Sequence, residues 1–216
     1  MYSDAMAAAP PRTRASEAIP PLREGDRLTR DEFYRRSDLH PEIKRAERLR
    51  GIVHLETVVS ADHGSRHAIV SGLLGIFCGG RPGLQACDSA SVMLGDDDVQ
   101  PDAFLRRTED AGGRTHGVGG ILAGPPEFIV EVATSSAARD LHEKKASYER
   151  NGVLEYVVWQ LHENRLDWFV LRDGRYEAVE PGADGVIESE QFPGLRLHVA
   201  SLLAGDVAGL LAGLAK

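Results

Sequence analysis

A charged residue interrupts the most strand-like apolar run in this 216-residue chain. The run covers residues 128–132 of a strand predicted over 127–133, and its apolar character is typical of a strand that is covered on both faces of a sheet. Successive side chains of a strand point to opposite faces, so Glu131 shares a face with Ile129 and Ala133. An ionised carboxylate in that setting is costly unless it is paired or binds a metal ion. This stretch therefore predicts a strand with a buried polar site on one face.

A second carboxylate, Asp102, follows Pro101 in an earlier strand signal over residues 99–105. If that strand neighbours the strand of Glu131, the two carboxylates face each other, and their repulsion would raise a pKa strongly. A hard divalent cation removes the repulsion, and Mg²⁺ is typically held by one or two carboxylates together with waters and phosphate oxygens. Asp102 and Glu131 are therefore candidate ligands of Mg²⁺, with Mn²⁺ as the alternative ion.

The segment after the strand predicts a helix over residues 140–151, with Asp140 as its N-cap and Gly152 as its C-cap. This helix places Lys144 and Tyr148 one turn apart on the same side. A lysine beside a metal site can orient a nucleophilic water or stabilise charge that develops on a phosphate. The alternatives are that Lys144 lies on a solvated helix face and that Tyr148 only packs in the core.

Helical and strand patterns are interspersed along the chain, which predicts an α/β or α+β fold with a mixed central β-sheet flanked by helices. Residues 1–24 lack periodicity and predict a disordered or extended arm, and residues 25–216 predict a single domain. A Gly-rich stretch at 108–124 predicts a mobile lid or substrate loop. The other predicted helices start at Thr29 or cover 42–49, 65–78 and 201–216, and the other predicted strands cover 52–60, 84–86, 91–94, 155–160, 166–171 and 175–179.

The bulk composition limits the class of partner. The net charge of −8 excludes a protein that is basic as a whole and binds nucleic acid through that charge. No apolar run approaches the ~18 residues of a membrane span, and the first residues lack a signal-peptide pattern, so no membrane partner is expected. Cys78 and Cys87 have no zinc-type spacing and are expected to be reduced thiols in a cytoplasmic protein.

The order of these residues resembles a known superfamily. A Pro-Asp pair, a strand that contains Glu131 and a later lysine follow the order of the PD-(D/E)XK nucleases. More narrowly, the chain is similar to the bacterial Uma-type family of restriction endonuclease-like proteins, from about residue 28 to about residue 205. The matching segments are 100–103, 124–132, 139–144 with Tyr148, 151–159, 171–176 and 192–197.

This resemblance implies a restriction-endonuclease-like fold and an endonuclease that hydrolyses phosphodiester bonds, with DNA as its substrate. It implies that Asp102 and Glu131 bind Mg²⁺ and that Lys144 serves the attacking water. Glu47, which lies shortly before the glycine turn at Gly51, is implied as a residue that holds a metal-bound water.

Two positions depart from the family pattern. Ala133 stands where the simple motif has its lysine, so the catalytic lysine falls on the following helix as Lys144, and Lys145 remains the adjacent candidate. Arg50 stands where the family often has Asp before the glycine.

Several alternatives stay open at the level of sequence. Between residues 103 and 150, seven basic residues are matched by seven acidic ones, which gives no basic surplus for DNA and leaves other phosphodiester substrates open. The acidic balance favours, as an alternative function, a non-catalytic nuclease-fold module that binds or regulates. The leucine stripe of the last helix indicates either a homodimer or packing on its own sheet. The remaining structural alternatives are an ion pair of Glu131 with Arg139 or a lysine, a turn-capping Asp102, a solvated Glu47, a solvated Asp96–Asp98 turn, and a His63–His67 pair that is satisfied without metal.

Overall fold

Helices and strands alternate irregularly in residues 19–56, 60–134 and 136–214, which the computed structural model describes. The first half of the chain contains α1 (Arg30–Leu39), β1 (Ala46–Leu49), β2 (Ile52–Leu55), α2 (Ala61–Cys78), β3 (Leu84–Asp88), β4 (Val92–Leu94), β5 (Asp97–Val99), β6 (Ala103–Arg107), a 3₁₀ turn (Glu109–Ala111), β7 (His116–Val118) and β8 (Ile121–Ala123). The second half contains β9 (Phe128–Ala133), α3 (Ala137–Arg139), a π-helical turn (Asp140–Lys144), α4 (Lys145–Asn151), β10 (Glu155–Gln160), β11 (Arg165–Arg172), β12 (Arg175–Ala178), β13 (Val186–Glu188), β14 (Arg196–His198), α5 (Val199–Ala204) and α6 (Val207–Leu214).

The strands form two six-stranded sheets and one two-stranded hairpin. The main sheet has the order β12-β11-β10-β9-β6-β3, in which β9 and β10 run parallel and the other pairs run antiparallel. The second sheet has the order β2-β1-β5-β4-β8-β7, and β13 pairs with β14. The expected mixed sheet flanked by helices is therefore confirmed, with a second sheet that the sequence patterns did not predict.

Strand β9 is buried along its whole length, as its apolar run predicts. Phe128, Val130 and Val132 face one core, where α2 contributes Val70, Leu73, Leu74 and Phe77. Ile129 and Ala133 face a second core that contains Tyr148 and Tyr156. By alternation, Glu131 belongs to this second side, between the main sheet and the helical segment that follows β9.

Two predicted elements in the region of Glu47 and Asp102 are wrong. Residues 42–49 predict a helix, but residues 46–49 form β1, which pairs with β2 through a tight turn at Arg50 and Gly51 with φ of 50° and 79°. Pairing with β2 and β5 therefore overrides the local helical pattern. The single strand predicted over 99–105 is two strands, because Pro101 has no N–H for the ladder and lies between β5 and β6. Asp102 consequently lies at the junction of the two sheets.

Other boundaries also differ from the prediction. The helical segment after β9 begins at Ala137, so Asp140 is not its N-cap but lies inside a π-helical turn. The predicted loop at 108–124 contains the β7–β8 hairpin, and the predicted closing helix breaks at Gly205, which has φ of 70°. The hairpin predicted across Asp173 and Gly174 is confirmed, and both residues have positive φ.

Some expectations fall on residues that the structure does not describe. These are residues 1–18 of the predicted arm, residues 57–59 of the predicted strand 52–60 and residues 215–216 of the predicted helix 201–216. Within the arm, Leu22 is buried and packs with Phe33 and Val53. No helix in the described ranges is long and apolar enough to span a membrane.

Candidate active site

The four residues that the sequence singles out lie together in the interior. Glu47 comes from β1, Asp102 from the junction of β5 and β6, Glu131 from β9, and Lys144 from the π-helical turn. Lys144 joins three of these elements, since its Nζ lies 2.6 Å from Glu131 Oε1 and 3.0 Å from Glu47 Oε1. All four residues are buried, with relative exposures of 2–7%.

Asp102 and Glu131 are connected through the backbone as well as through charge. The Val132 N–H donates a hydrogen bond to Asp102 Oδ2 at 2.7 Å, and the Asp102 N–H donates to Glu131 Oε2 at 3.3 Å. The carboxylate of each residue thus accepts a hydrogen bond from the segment that carries the other. This exchange fixes the two carboxylates relative to each other on a rigid part of the main sheet.

Lys144 is the last residue of the π-helical turn. Such turns are rare in proteins, and many of those that occur lie at functional sites. Asp140 starts the turn and is buried, and its carboxylate lies 3.7 Å from Lys144 Nζ and accepts a hydrogen bond from Ser136 Oγ at 2.7 Å. The Tyr156 hydroxyl donates to the Asp140 carbonyl at 3.0 Å, which anchors the turn to β10. The sequence indicated Asp140 only as a helix cap, so this fourth buried carboxylate was missed.

The neighbouring lysine points elsewhere. Lys145 Nζ lies 3.6 Å from the centroid of the Phe169 ring, in a cation–π contact. Of the two adjacent candidates, Lys144 is therefore the one that contacts the carboxylates. Tyr148, one turn further on, is fully buried in the core and also donates a hydrogen bond from its hydroxyl to Glu131 Oε1 at 2.8 Å.

Three basic residues lie near Asp102, namely Arg45, which the sequence did not assign to the site, and the His63–His67 pair. Arg45 Nη2 lies 2.9 Å from Asp102 Oδ1. His67 Nε2 lies 2.8 Å from the Asp102 carbonyl oxygen, and His63 Nε2 lies 3.6 Å from Oδ1, too far for a hydrogen bond. Arg45 is two residues before Glu47, so strand alternation would have placed both on one face, and the four-residue spacing of the histidines put them on one side of α2.

Burial and charge act in opposite directions on the ionisable groups. Burial raises the pKa of Glu131 well above its usual value, and the nearby Asp102, Asp140 and Glu47 add to this, while Lys144 opposes it. Burial also favours the neutral form of Asp102, but His63, Arg45 and the Val132 N–H together hold the pKa of Asp102 well below its usual range. Aspartate 102 is therefore the firmly ionised carboxylate of the pair.

Lys144 keeps its charge despite burial. Burial lowers the pKa of Lys144, but Glu131, Glu47 and Asp140 outweigh this effect and raise it well above its usual value. The Asp102 carboxylate likewise raises the pKa of His63, which burial opposes. The three carboxylate neighbours of Lys144 therefore keep its side chain in the ammonium form.

The donor chemistry of this cluster fits a hard divalent cation. Among the described residues, no three His, Cys, Asp and Glu side chains are arranged to hold a metal ion by themselves. Mg²⁺, however, usually takes only one or two carboxylates and completes its shell with water and phosphate. The four buried carboxylates Glu47, Asp102, Glu131 and Asp140 share the cations Arg45 and Lys144, so the cluster offers more carboxylate groups than arginine and lysine partners.

Two comparisons with known proteins agree with this fold. The profile of the family described as "Uma2: Putative restriction endonuclease" matches residues 30–200, a span that contains every residue of the cluster. A crystal structure of "a putative nuclease belonging to DUF820" from Anabaena variabilis ATCC 29413 superposes with a TM-score of 0.66, covering 82% of this chain and 98% of that one. Because the two sequences are only 14% identical, this likeness shows a shared fold and nothing more. No curated protein matches the chain. The family match extends over most of the sequence, and the chain therefore belongs to the Uma2 family of "putative restriction endonucleases".

Proposed function

We propose that this protein is a Mg²⁺-dependent endonuclease that hydrolyses phosphodiester bonds in DNA. The observation that carries the proposal is the position of Lys144 Nζ, 2.6 Å from the Glu131 carboxylate. Asp102 lies beside this pair, because its carboxylate accepts a hydrogen bond from the Val132 N–H and its own N–H donates to Glu131. Two carboxylates can hold the ion of metal-assisted phosphodiester hydrolysis, and a lysine beside them can orient water or stabilise charge on the phosphate.

Each residue has a separate role in this proposal. Asp102 and Glu131 would hold the metal ion, which when bound polarises the phosphate and lowers the pKa of a bound water. Lys144 orients the attacking water and stabilises negative charge on the phosphate. Glu47 holds Lys144 in place at 3.0 Å and is available to a metal-bound water, and Tyr148 fixes Glu131 through its hydroxyl.

DNA is proposed as the substrate on the strength of family membership, and the charge distribution limits how it binds. The chain carries a net charge of −8, so long-range attraction to a polyanion is weak. Phosphate contact at this site is therefore expected to depend on the bound metal ion rather than on a basic groove.

The proposal is tested by assaying cleavage of supercoiled plasmid and single-stranded DNA with Mg²⁺, Mn²⁺ or EDTA. Asp102→Asn, Glu131→Gln and Lys144→Met are compared with wild type. We expect metal-dependent cleavage by wild type and a loss of about 100-fold or more in each variant, because each removes a metal ligand or a group at the reacting atoms.

Glu127→Gln is the matched control. Glu127 is a buried carboxylate just before β9, but it accepts hydrogen bonds from the backbone N–H groups of Arg107 and Arg114, away from Lys144. The cleavage rate of Glu127→Gln should stay near that of wild type. Equal cleavage by wild type and the three site variants, or no cleavage with any metal ion, would refute the proposal.

A non-catalytic binding or regulatory module is the second candidate, and one observation favours it. Protein groups already satisfy the candidate site, because Arg45 pairs with Asp102 and Lys144 pairs with Glu131, and these carboxylates are 2–3% exposed. Calorimetric titration with Mn²⁺ separates the two functions. An affinity that Glu131→Gln leaves unchanged, together with an absence of cleavage, would support the module.

A further inference from the structure

Arg45 is a cation of the site that the proposed reaction leaves without a role. It lies directly before β1, and its side chain is 15% exposed. Nη2 contacts Asp102 Oδ1 at 2.9 Å and the Gln100 carbonyl at 3.1 Å, while Nη1 lies 3.1 Å from Glu56 Oε2. The guanidinium therefore bridges a buried carboxylate and a more exposed one.

The two oxygens of Asp102 differ in how their partners are held. Oδ2 accepts from the Val132 N–H, which belongs to a central strand and cannot move away without disrupting the sheet. Oδ1 accepts from the flexible side chain of Arg45, and His63 Nε2 lies 3.6 Å away, buried and without a hydrogen-bond partner among the described residues. Oδ1 is therefore the oxygen whose partner can be exchanged.

A guanidinium at this place is a permanent positive charge, since arginine is not deprotonated in proteins. It neutralises the buried Asp102 carboxylate, which a divalent cation would otherwise neutralise. A metal ion that uses Asp102 Oδ1 has to displace Nη2, because the two cations repel each other and compete for the same oxygen.

We infer that Arg45 is the internal competitor of the divalent metal ion for Asp102. In the metal-free protein the guanidinium neutralises Asp102. When metal binds, Nη2 leaves Oδ1 and Glu56 retains the side chain through Nη1, so that Glu56 sets how readily Arg45 is displaced. This inference rests on the proposed metal site, since it needs Asp102 as a ligand.

The test is Mn²⁺ affinity, measured by calorimetry and by electron paramagnetic resonance of the free ion, on the full chain. Arg45→Gln removes the competing charge, and we expect it to bind Mn²⁺ about tenfold tighter or more than wild type. Arg45→Lys retains a positive charge and should stay within about threefold of wild type. Glu56→Gln leaves Arg45 with Asp102 as its main carboxylate partner and should bind Mn²⁺ more weakly than wild type. Arg165→Gln, an exposed arginine that pairs with Asp167, is the control and should match wild type.

Thermal unfolding provides a second measurement that does not depend on a calorimetric signal. In EDTA, Arg45→Gln should melt below wild type, because Asp102 loses its counter-charge. Saturating Mn²⁺ should raise its melting temperature by more than it raises that of wild type. If Arg45→Gln is unfolded in EDTA and folds when Mn²⁺ is added, this result would support the inference in the same way.

Asp102→Asn separates failure of this inference from failure of the proposed site. If Asp102→Asn abolishes Mn²⁺ binding but Arg45→Gln binds no more tightly than wild type, the metal site stands and the competition is refuted. If Asp102→Asn leaves Mn²⁺ affinity unchanged, Asp102 is not a ligand and both conclusions fail.

Discussion

At the scale of single residues, the interior of this protein depends on one ammonium group. Lys144 is 2% exposed and lies within 3.7 Å of carboxylate oxygens from Glu131, Glu47 and Asp140. Buried charges of this kind are tolerated only while their partners remain, since an unpaired buried charge is much more costly than an intact pair. Lys144 therefore has a structural role beside the catalytic one proposed for it.

Replacing this lysine should consequently cost stability as well as activity. We expect Lys144→Met to lower the free energy of unfolding at pH 7 by about 3–5 kcal/mol, because three buried carboxylates lose their counter-charge. Urea unfolding followed by circular dichroism measures the change. Lys145→Met is the control, and it should lose only about 0.5–1 kcal/mol through its cation–π contact with Phe169. Similar losses in the two variants would contradict the burial argument.

A buried carboxylate outside the candidate site, Glu155, makes the stability of the fold depend on pH. Glu155 is fully buried at the start of β10, its Oε2 has no hydrogen-bond partner among the described residues, and burial raises its pKa. A folded-state pKa above the unfolded one means that this residue contributes stability at low pH that is lost as the pH rises through the raised pKa.

Glu155→Gln tests this linkage because glutamine stays neutral. The free energy of unfolding of Glu155→Gln relative to wild type should therefore increase between pH 4 and pH 8, as wild type acquires a buried charge. Urea unfolding at both pH values measures it. Glu163→Gln, at an exposed position in the β10–β11 turn, should show the same difference from wild type at both pH values. If the difference in free energy of unfolding between Glu155→Gln and wild type is the same at both pH values, the pKa of Glu155 does not change on folding.

At the scale of elements, an aspartate pair that looks like a solvated turn links three elements instead. Asp97 and Asp98 are buried in β5, with exposures of 1% and 2%, so the expected solvated turn is wrong for both. Asp97 accepts hydrogen bonds from the Arg50 N–H at 2.7 Å, from Arg150 Nη2 at 2.6 Å and from Ser147 Oγ. It thereby ties the β1–β2 turn to α4, directly beyond Lys144.

This tie predicts a large contrast between two adjacent aspartates. We expect Asp97→Ala to lower the free energy of unfolding by about 2–4 kcal/mol, because hydrogen bonds to a buried charge are lost at three places. Asp96→Ala, at the exposed neighbouring position, should change it by less than about 0.5 kcal/mol. Chemical denaturation of both variants gives the comparison, and equal losses would argue against the tie.

The elements also show why only part of the site was predictable. Strand β9 and the helical segment after it are continuous in sequence, so Glu131 and Lys144 could be located from local patterns. Glu47 lies in a stretch that predicts a helix, and its strand exists only because β1 pairs with β2 and β5. Arg45 and Asp140 reach the same cluster from positions 95 residues apart in the chain, a proximity that no local pattern contains.

At the scale of the whole molecule, the net charge of −8 opposes contact with a polyanion. The leucines of the closing segment pack inward, with Leu210 buried and Leu203, Leu211 and Leu214 against the main core, which accounts for that stripe within one chain. A homodimer stays a prediction that sedimentation at several concentrations would test.

DNA affinity should therefore depend on a divalent cation. We expect Ca²⁺, which takes the same kind of oxygen ligands, to tighten binding of a labelled oligonucleotide by about tenfold or more relative to EDTA. Fluorescence anisotropy at fixed ionic strength measures this. Asp102→Asn should bind equally in Ca²⁺ and in EDTA, because a ligand of the ion is gone. Equally tight binding by wild type under both conditions would contradict a metal-dependent contact.

The sequence by itself determined the mixed sheet with flanking helices, the buried strand of Glu131 and the order of Asp102, Glu131 and Lys144. These follow from hydrophobic periodicity and from the cost of placing a carboxylate in an apolar strand, which are local properties. Only the tertiary structure decided that residues 46–49 form a strand, that the turn carrying Lys144 packs against Glu47 of β1 and Glu131 of β9, and that Arg45 covers Asp102. Those outcomes depend on strand pairing and charge neutralisation between distant segments, whose free energies exist only once the chain has folded.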